Sequence, residues 1–343
     1  MESRINLMDE NLWLYEEPKL LEPITPSEAM ELACRVALKG VGAVHKNPLV
    51  GAVIVDRGHR FLAAAAHLVF GQEHAEVNLI NQIRKQNLEE HLIQSTLYIT
   101  LEPCSHTGKT KPCVDSLAKI PLKEIIYGAI DPNPLVAGSG ISFLEQKKIQ
   151  CTFSPEFEAM GAHLLEHFRW NILNQTPFIG LKLTLDFFEM LKYDENRQKT
   201  NSVRVRDYGY WLRNSYEAIL VESETIIIDN PSLAIIGWTP LCIVLDVHGQ
   251  ALVSRPISEH NLIAIEPSKT LWICEETFWS TKIGSTYLQS LKDVGVQFHS
   301  LEIASQLREK RSHMGDSRNQ SMASGECMGE WSNISRNRKL LSL

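Results

Sequence analysis

The sequence predicts an α/β protein with two domains. Apolar runs of strand length alternate with amphipathic helical segments along most of the chain, an order that is typical of sheets covered by helices. The length of 343 residues is more than one hydrophobic core usually serves, so two domains of about 150 residues each are expected. The composition, with 44% hydrophobic and 22% charged residues, is that of a folded protein.

The elements of the first domain follow from caps, turns and apolar runs. Thr25, Pro26 and Glu28 form a capping box with proline at the first helical position, which predicts a helix that ends near Gly40. The apolar run over 49–55 then predicts a buried strand. The other predicted elements are a strand that ends near His67, a helix from His74 to about Gln86, a strand over 96–101, a helix that begins at Pro112, and a strand over 123–130.

A helix over 157–173 and the loop after it predict the junction between the domains. Alternation then resumes with a strand over 178–185, a helix over 204–214, and strands over 218–221 and 242–246. No periodicity remains after about residue 306. We therefore expect an extension at 1–24, a first domain at 25–155, a second domain at 156–306 and a disordered tail at 307–343.

The charge and the cysteine content of the chain indicate which cellular environment and which binding partners to expect. The net charge of −7 argues against a basic face that holds nucleic acid, so we expect a small-molecule substrate. Seven scattered cysteines favour a reducing cytoplasm and metal ligands over a disulfide framework. We expect neither a signal peptide nor a membrane association, because the sequence has no apolar leader and no run of about 18 apolar residues.

One spaced set of residues dominates the first domain: His74-Ala75-Glu76, then Pro103-Cys104, then Pro112-Cys113. One imidazole and two thiolates can fill three corners of a tetrahedral zinc site and leave the fourth for water, as a catalytic site requires. A glutamate two residues after the histidine can move the protons of that water. This order is the signature of zinc deaminases, so it predicts zinc as a cofactor, His74, Cys104 and Cys113 as its ligands, and Glu76 as the catalytic residue.

Each member of this set has an ordinary alternative explanation when it is taken singly. A lone histidine is most often a surface or core residue, and cysteine is commonly buried without a function. The joint order is what indicates a site. In the predicted fold His74 and Cys113 each begin a helix, so two positive helix ends would meet at the metal and favour thiolate.

The segments around this set resemble one family. Eight residues separate Cys104 from Cys113, more than the two of the short Pro-Cys-x-x-Cys form, and the run TLEPCSHTGKTKPC over 100–113 closely resembles the deaminase domain of the bifunctional riboflavin-biosynthesis deaminase–reductase family. The segments NPLVG, HAEVN and DPNPLVAGSG, at 47–51, 74–78 and 131–140, resemble it as well. Cytidine and tRNA-adenosine deaminases share the zinc residues, but not the long loop or the DPNPxVAG run.

The resemblance implies a fold, a reaction and a set of contacts. The fold is a cytidine-deaminase-like αβα layered domain with a mixed sheet, followed by a partial dihydrofolate-reductase-like α/β domain. The implied substrate is the phosphorylated pyrimidine 2,5-diamino-6-ribosylamino-4(3H)-pyrimidinone 5′-phosphate, which is hydrolysed to its uracil analogue and ammonia. Alanines at 63–66 replace the glycines that the family usually has before the position of His67. The implied substrate-binding residues are Asn47, His67, Lys109, Asp131 and Asn133.

From about residue 177 to 246 the chain is similar to the reductase domain of the same family, most clearly over 218–233. Glu222 and Glu224 stand where family members have glycines, and a glutamate adds bulk and a like charge toward anionic NADPH. The family's S-L-D-G segment, an arginine after Leu233 and a V-E-G-G segment are also missing. The positions that still match the reductase, as vestigial cofactor-binding residues, are Lys182, Ser202, Arg206 and Asn230.

These departures make NADPH a doubtful cofactor. We expect the second domain to be a degenerate, truncated reductase that persists as a packing or dimer surface, since the resemblance implies a homo-oligomer through this domain. Three alternatives stay open at this point: a fully bifunctional enzyme, a zinc deaminase that acts on a nucleoside or a tRNA base, and a metal-binding scaffold without turnover. The presence of Glu76 argues against the scaffold, because a scaffold needs no proton carrier.

Overall fold

A computed structural model describes residues 16–134, 136–174, 176–182, 203–234 and 239–301. The chain forms two compact units, residues 1–200 and 201–343. The predicted disordered tail, Ser202 and most of the predicted N-terminal extension lie outside the described residues. Within the described ranges, no helix combines the length and the apolar character that crossing a membrane requires.

The first unit contains a five-stranded mixed sheet in the order β2-β1-β3-β4-β5. Strand β1 pairs antiparallel with β2 and β3, whereas β3, β4 and β5 are mutually parallel. This arrangement confirms the predicted mixed sheet. The strands are β1 Gly51–Val55, β2 Phe61–Ala66, β3 Ser95–Ile99, β4 Leu122–Tyr127 and β5 Gln150–Phe153.

Helix α1, Pro26–Ala37, begins at the predicted capping box. The backbone N–H of Thr25 donates to Glu28 Oε2 at 2.7 Å, and the N–H of Glu28 donates to Thr25 Oγ1 at 3.3 Å. The helix lies directly against β1, since a Cβ atom at Gly51 would stand 1.9 Å from the carbonyl oxygen of Ala33. Only glycine at this position allows so close an approach.

Helices cover both faces of this sheet. All five residues of β1 are buried, and successive side chains of a strand point to opposite faces, so each face needs a cover. Ala52 and Ile54 belong to an apolar cluster that includes side chains of four helices, and α1 packs on the same strand from outside that cluster. These helices are α2 Ala75–Lys85, α3 Cys113–Leu117, α4 Ser139–Gln146 and α5 Glu158–Asn174, which also contacts α1.

The second unit contains an all-parallel sheet in the order β6-β7-β8-β9. Its strands are β6 Ala218–Glu222, β7 Leu241–Leu245, β8 Thr270–Glu275 and β9 Gln297–Leu301. Its helices are α6 Val203–Asn214, α7 Ser223–Asp229, α8 Gln250–Val253, α9 Asn261–Ile265, α10 Glu276–Trp279 and α11 Lys282–Asp293. Buried side chains of β7 and β8, among them Val244 and Trp272, form its core.

One predicted strand differs from the structure. Residues 178–182 of the expected strand over 178–185 have no regular structure, and the remaining three lie outside the described residues. The segment folds back on α5 instead: the ring of Phe178 lies 4.4 Å from that of His167, and the indole N–H of Trp170 donates to the carbonyl of Pro177 at 3.1 Å. Of this apolar run only Phe178 is partly covered in this way, since Ile179 and Leu181 are exposed.

Candidate active site

Two helix beginnings and one strand end bring the predicted metal ligands together. His74 precedes the first residue of α2, and Cys113 is the first residue of α3. Pro112 lies just outside α3 rather than at its first position. Cys104 follows β3 in the chain, and its carbonyl accepts the N–H of Val114 at 3.3 Å, which joins the two cysteine segments.

The spacing of the three ligand atoms fits a zinc ion. His74 Nδ1 is 3.6 Å from Cys104 Sγ and 3.3 Å from Cys113 Sγ. All three ligand atoms lie within 4.8 Å of one another. Zinc bonds of ~2.0 Å to nitrogen and ~2.3 Å to sulfur, at a tetrahedral angle, set such atoms about 3.5 Å apart. One nitrogen and two sulfurs are also a donor set that zinc accepts.

The two thiols of this group differ in acidity. Hydrogen bonds with Cys113 and then with His74 lower the pKa of Cys104 to about 4. The hydrogen bond with Cys104, together with burial, raises the pKa of Cys113. Two thiols in contact titrate as a pair in which one ionises first. A thiolate at Cys104 is therefore favoured, and thiolate is the form of cysteine that binds metals.

Glu76 lies in the first turn of α2 with 3% of its surface exposed. Burial raises the pKa of this carboxyl group to about 7, and the charge of Cys104 adds to the effect. A hydrogen bond with Cys113 opposes the shift and shows that the carboxyl group lies beside the cluster. A carboxyl group with a pKa near neutrality can both accept and donate a proton.

Asn47 and His67 are brought together although twenty positions separate them. The ring of His67 is 98% buried, and its Nδ1 lies 3.1 Å from the carbonyl oxygen of Glu73, which can only accept. Nδ1 therefore carries the proton, and Nε2 accepts from the side-chain amide of Asn47 at 3.1 Å. Burial lowers the pKa of His67, in agreement with this neutral ring. The rings of His67 and His74 lie 5.1 Å apart, so this pair adjoins the metal-ligand cluster.

The alanines before His67 lie within β2 and pair with β1, Ala63 opposite Ile54 and Ala65 opposite Ala52. Three of the four are buried. The carbonyl of Ala66 accepts the side-chain amide of Asn78 at 2.8 Å, which ties the end of β2 to α2. The methyl groups of these alanines therefore pack on the faces of the sheet and into the core.

Lys109, in the long loop between the two cysteines, is exposed and rests on an aromatic ring. Its ammonium lies 4.0 Å from the centre of the Phe70 ring, a cation–π distance. Its side chain passes over Gly71, where a Cβ atom would lie 3.2 Å from Lys109 Cδ. The ring of His45 also meets Phe70 edge to face at 5.7 Å. Phe70 thus joins the loops that hold Asn47, His67 and Lys109.

Asp131 and Asn133 lie in the loop between β4 and α4. Asp131 is 9% exposed, and its Oδ1 accepts the N–H of Asn133 at 2.8 Å. Burial raises the pKa of Asp131, and the charge of His106 opposes the shift. The carboxylate of Glu102 accepts the N–H of Gly138 in the same loop. This loop therefore adjoins the segment that carries Cys104.

Sequence reasoning gave no role to Glu102 or Phe70. A signal was present for Glu102, because it follows the buried-type run YITL, where a charged side chain needs fixed partners. Phe70 carried no such signal, since an isolated aromatic residue before a glycine is ordinary. The contacts with His45 and with Lys109, 39 positions later in the chain, show what its ring does.

The positions that match the reductase belong to different elements of the chain. Lys182 is exposed in an irregular segment, Arg206 lies on α6, and Ser202 is outside the described residues. Asn230 ends α7 in the left-handed conformation. Its side-chain amide donates to the carbonyl of Glu259 at 2.8 Å, and its side-chain oxygen accepts the N–H of Asn261 at 3.1 Å. Asn230 therefore holds two loops together.

Glu222 and Glu224 lie where β6 meets α7. Glu222 is the last residue of β6, and Glu224 is in the first turn of α7. Both side chains are exposed. Two carboxylates therefore stand at the carboxyl end of a parallel strand, the edge at which sheets of this class usually bind ligands.

Comparison with known proteins also assigns a deaminase zinc-binding region to the first unit. The model of the cytidine and deoxycytidylate deaminase zinc-binding region matches residues 24–129. The riboflavin biosynthesis protein RibD of Aquifex aeolicus is 31% identical over 274 residues, which are 78% of this chain and 71% of that protein. The chain belongs to the RibD family. RibD of Bacillus amyloliquefaciens is 35% identical over 210 residues, but the chain spans only 53% of its length.

Solved RibD structures match in fold as well. The diaminohydroxyphosphoribosylaminopyrimidine deaminase/5-amino-6-(5-phosphoribosylamino)uracil reductase of Thermotoga maritima is 28% identical, with a TM-score of 0.59 and 79% of both chains covered. Acinetobacter baumannii RibD gives a TM-score of 0.61 at 25% identity, over 83% of this chain and 76% of that chain. The comparisons confirm the predicted family, both predicted fold classes, and the deaminase class of hydrolases for the first unit.

Proposed function

We propose that this chain is a zinc-dependent deaminase of riboflavin synthesis. Its substrate in this proposal is 2,5-diamino-6-ribosylamino-4(3H)-pyrimidinone 5′-phosphate, which it hydrolyses to the uracil analogue and ammonia. The single observation that carries the proposal is the close group of His74, Cys104 and Cys113 with the buried carboxyl group of Glu76 beside it. Family membership supports the pathway, and the long loop between the cysteines supports the substrate.

In the proposed reaction, an oxygen atom from water replaces an amino group on the ring. Zinc held by His74, Cys104 and Cys113 would supply positive charge and a water of lowered pKa. Glu76 accepts a proton from the attacking water and gives it to the adjacent ring nitrogen. The second proton of the water leaves with the amino group as ammonia when the carbon–nitrogen bond breaks. The oxygen of the water remains as the new carbonyl.

The remaining residues bind and orient the substrate in this proposal. The amide of Asn47 and the neutral ring of His67 act as one hydrogen-bonded pair beside the ring to be attacked. Asp131 and Asn133 offer polar groups from the opposite loop. Lys109 supplies a mobile positive charge for the phosphate, and the ring of Phe70 steadies it.

The second unit, in our proposal, no longer reduces the product. Glu222 and Glu224 place two carboxylates at the strand end where an anionic cofactor would approach. Asn230, one of the matched positions, uses its side chain to join two loops. The unit then serves as a surface for packing or for a homo-oligomer. We also propose a cytoplasmic location, which the free thiols of all six described cysteines support.

The deciding experiment is an assay of ammonia release by the full chain loaded with zinc. We expect turnover of the phosphorylated diaminopyrimidine and none of cytidine or adenosine. Turnover of a nucleoside alone would refute the substrate. The reductase half is tested by calorimetric titration with NADPH, for which we expect no binding. Micromolar affinity, or oxidation of NADPH by the deaminated product, would favour the fully bifunctional enzyme instead.

A further inference from the structure

We propose that Glu102 is a positioning residue, which holds the loop of Asp131 and Asn133 against the segment of Cys104. This inference rests on the proposed function, because it assigns the support of the proposed substrate loop. Glu102 lies two residues before Cys104, and only 4% of its surface is exposed. A carboxylate so deeply buried is costly unless hydrogen bonds satisfy it, so its partners show what it holds.

Both ends of the loop over 131–138 bond to this one carboxylate. The N–H of Gly138 lies 3.0 Å from Glu102 Oε1 and 3.1 Å from Oε2. The backbone N–H of Asp131 also forms a hydrogen bond with the Glu102 side chain. Hydrogen bonds from backbone N–H groups to a carboxylate are stronger than neutral ones. Gly138 presents its N–H from a backbone with φ +74°, which glycine adopts without strain.

Two further contacts attach the start of α4, which directly follows this loop, on either side of Cys104. The hydroxyls of Ser105 and Ser139 lie 2.6 Å apart. Gly140 approaches the backbone of Pro103 so closely that a Cβ atom would stand 2.0 Å from the Pro103 carbonyl oxygen. The loop and the start of α4 are thus attached to Glu102, Pro103 and Ser105, in the segment that contains the predicted ligand.

This attachment has a consequence for binding. Inside the loop, the side chain of Asp131 accepts the backbone N–H of Asn133, so this side chain is fixed relative to the backbone of Asn133. Glu102 fixes the loop as a whole relative to Cys104. The predicted metal ligand and the proposed substrate contacts therefore keep one spacing before the substrate arrives, and preorganisation of this kind improves binding.

The test compares Glu102→Gln with Glu124→Gln in the zinc-loaded full chain. Glutamine keeps the size of the side chain but replaces one acceptor oxygen by an NH2 group that cannot accept. We expect Glu102→Gln to raise KM about tenfold, the effect of losing a hydrogen bond to a charged group, while kcat and zinc content stay within about twofold. Glu124 bonds to Thr152 and Gln150 on β5, away from this loop, and its variant should match the parent.

A readout independent of turnover separates this inference from the proposed function. Hydrogen exchange of the peptide over 131–138 should be faster in Glu102→Gln, while exchange in α2 and β3 stays unchanged. If the parent enzyme releases no ammonia, the proposed function fails, and exchange still tests the attachment. Unchanged exchange, or a loss of kcat at constant KM, would overturn the positioning role.

A milder variant covers the case in which Glu102→Gln does not fold. Ser139 is exposed and distant in sequence from the predicted ligands, so Ser139→Ala should leave the fold intact. It removes the hydrogen bond to Ser105 and the bond that the same hydroxyl donates to the carbonyl of Val136. We expect KM to rise about threefold with kcat unchanged, as for the loss of neutral hydrogen bonds. A KM equal to that of the parent would count against attachment of this loop as a determinant of binding.

Discussion

The two units place buried polar groups in different ways. In the first unit, His74, Cys104 and Cys113 converge until their ligand atoms lie within 4.8 Å of one another, with Glu76 alongside. In the second unit, the most deeply buried carboxylate is Asp246, at 0% exposure, which follows β7. It accepts the N–H groups of Ala251 and Leu252 at 3.1 and 2.9 Å and the indole N–H of Trp272 at 3.1 Å.

The difference separates a reactive site from a structural one. The hydrogen bonds of Asp246 all come from the scaffold around it, so the carboxylate fixes α8 and β8 in place. The four residues of the first unit meet side chain to side chain and perturb one another's pKa values, a feature that is typical of functional sites. Burial of a polar group alone therefore does not indicate function; convergence on a shared point does.

Removal of the metal tests the first half of this comparison with the largest expected effect. Dialysis against a chelator should reduce ammonia release to the background rate, and added zinc should restore it, because the predicted ligands all belong to the reactive cluster. The measurement is zinc content together with turnover. Full activity in protein shown to be free of metal would contradict this contrast between the units. The cluster of His74, Cys104 and Cys113 would then be structural and not part of a reactive site.

Glu76→Gln should have the next largest effect. An amide cannot carry the proton of the attacking water, so we expect kcat to fall by about 10²- to 10⁴-fold, the usual range for a general acid–base. Zinc content should not change, because Glu76 is not a predicted ligand. Glu89→Gln, at an exposed position, is the matched control. Equal turnover in the Glu76 and Glu89 variants would refute the role of Glu76.

Phe70→Leu should have a smaller and more selective effect. Without the ring, the ammonium of Lys109 loses a contact of ~0.5–1 kcal/mol, which corresponds to a rise in KM of about two- to fivefold. The rise should occur for the phosphorylated pyrimidine and not for its dephosphorylated analogue. An equal rise for both substrates would show that Phe70 acts through the fold and not through the phosphate.

The smallest effect concerns His260, which contacts Trp272 in the second unit with ring centres 5.1 Å apart. Burial lowers the pKa of His260, so the unfolded chain binds a proton more readily than the folded one. This contribution to stability is complete above the unfolded pKa of ~6.5 and is lost as the pH falls below it. Urea unfolding followed by tryptophan fluorescence should show a lower midpoint at acidic pH. His260→Leu should flatten that dependence, and an unchanged slope would exclude His260 as its source.

The sequence predicted those parts of the site that depend on local spacing. His74 and Glu76 share one helix turn, and the two Pro-Cys pairs mark a strand end and a helix beginning, so chemistry and position could be inferred together. The hydrogen-bond partners of Asn47 and Glu102 could not be inferred from local spacing. They lie 20 and 36 positions away, at His67 and Gly138, and become neighbours only when loops close over the sheet.

The elements of the fold also divide into those that the local sequence predicted and those that it did not. Strands such as β1 and β7 are continuous apolar runs and were predicted to within a few residues. The short helices α8, α9 and α10 have four or five residues each, fewer than two turns, so no helical period could indicate them. The run over 178–185 was predicted as a strand, but residues 178–182 are irregular and the ring of Phe178 lies against that of His167 on α5.

The helices of the protein begin in different ways, and most of those described have no side-chain cap. Helices α1 and α11 start at Thr25 and Thr281, whose side chains accept a backbone N–H. Helices α2 and α3 start at His74 and Pro112, which give no such bond. A missing cap costs about 1 kcal/mol, so His74→Asp, measured without zinc, should make an inactive protein that is harder to unfold. A design that maximised robustness alone would therefore replace this histidine by a capping residue and lose the predicted metal ligand.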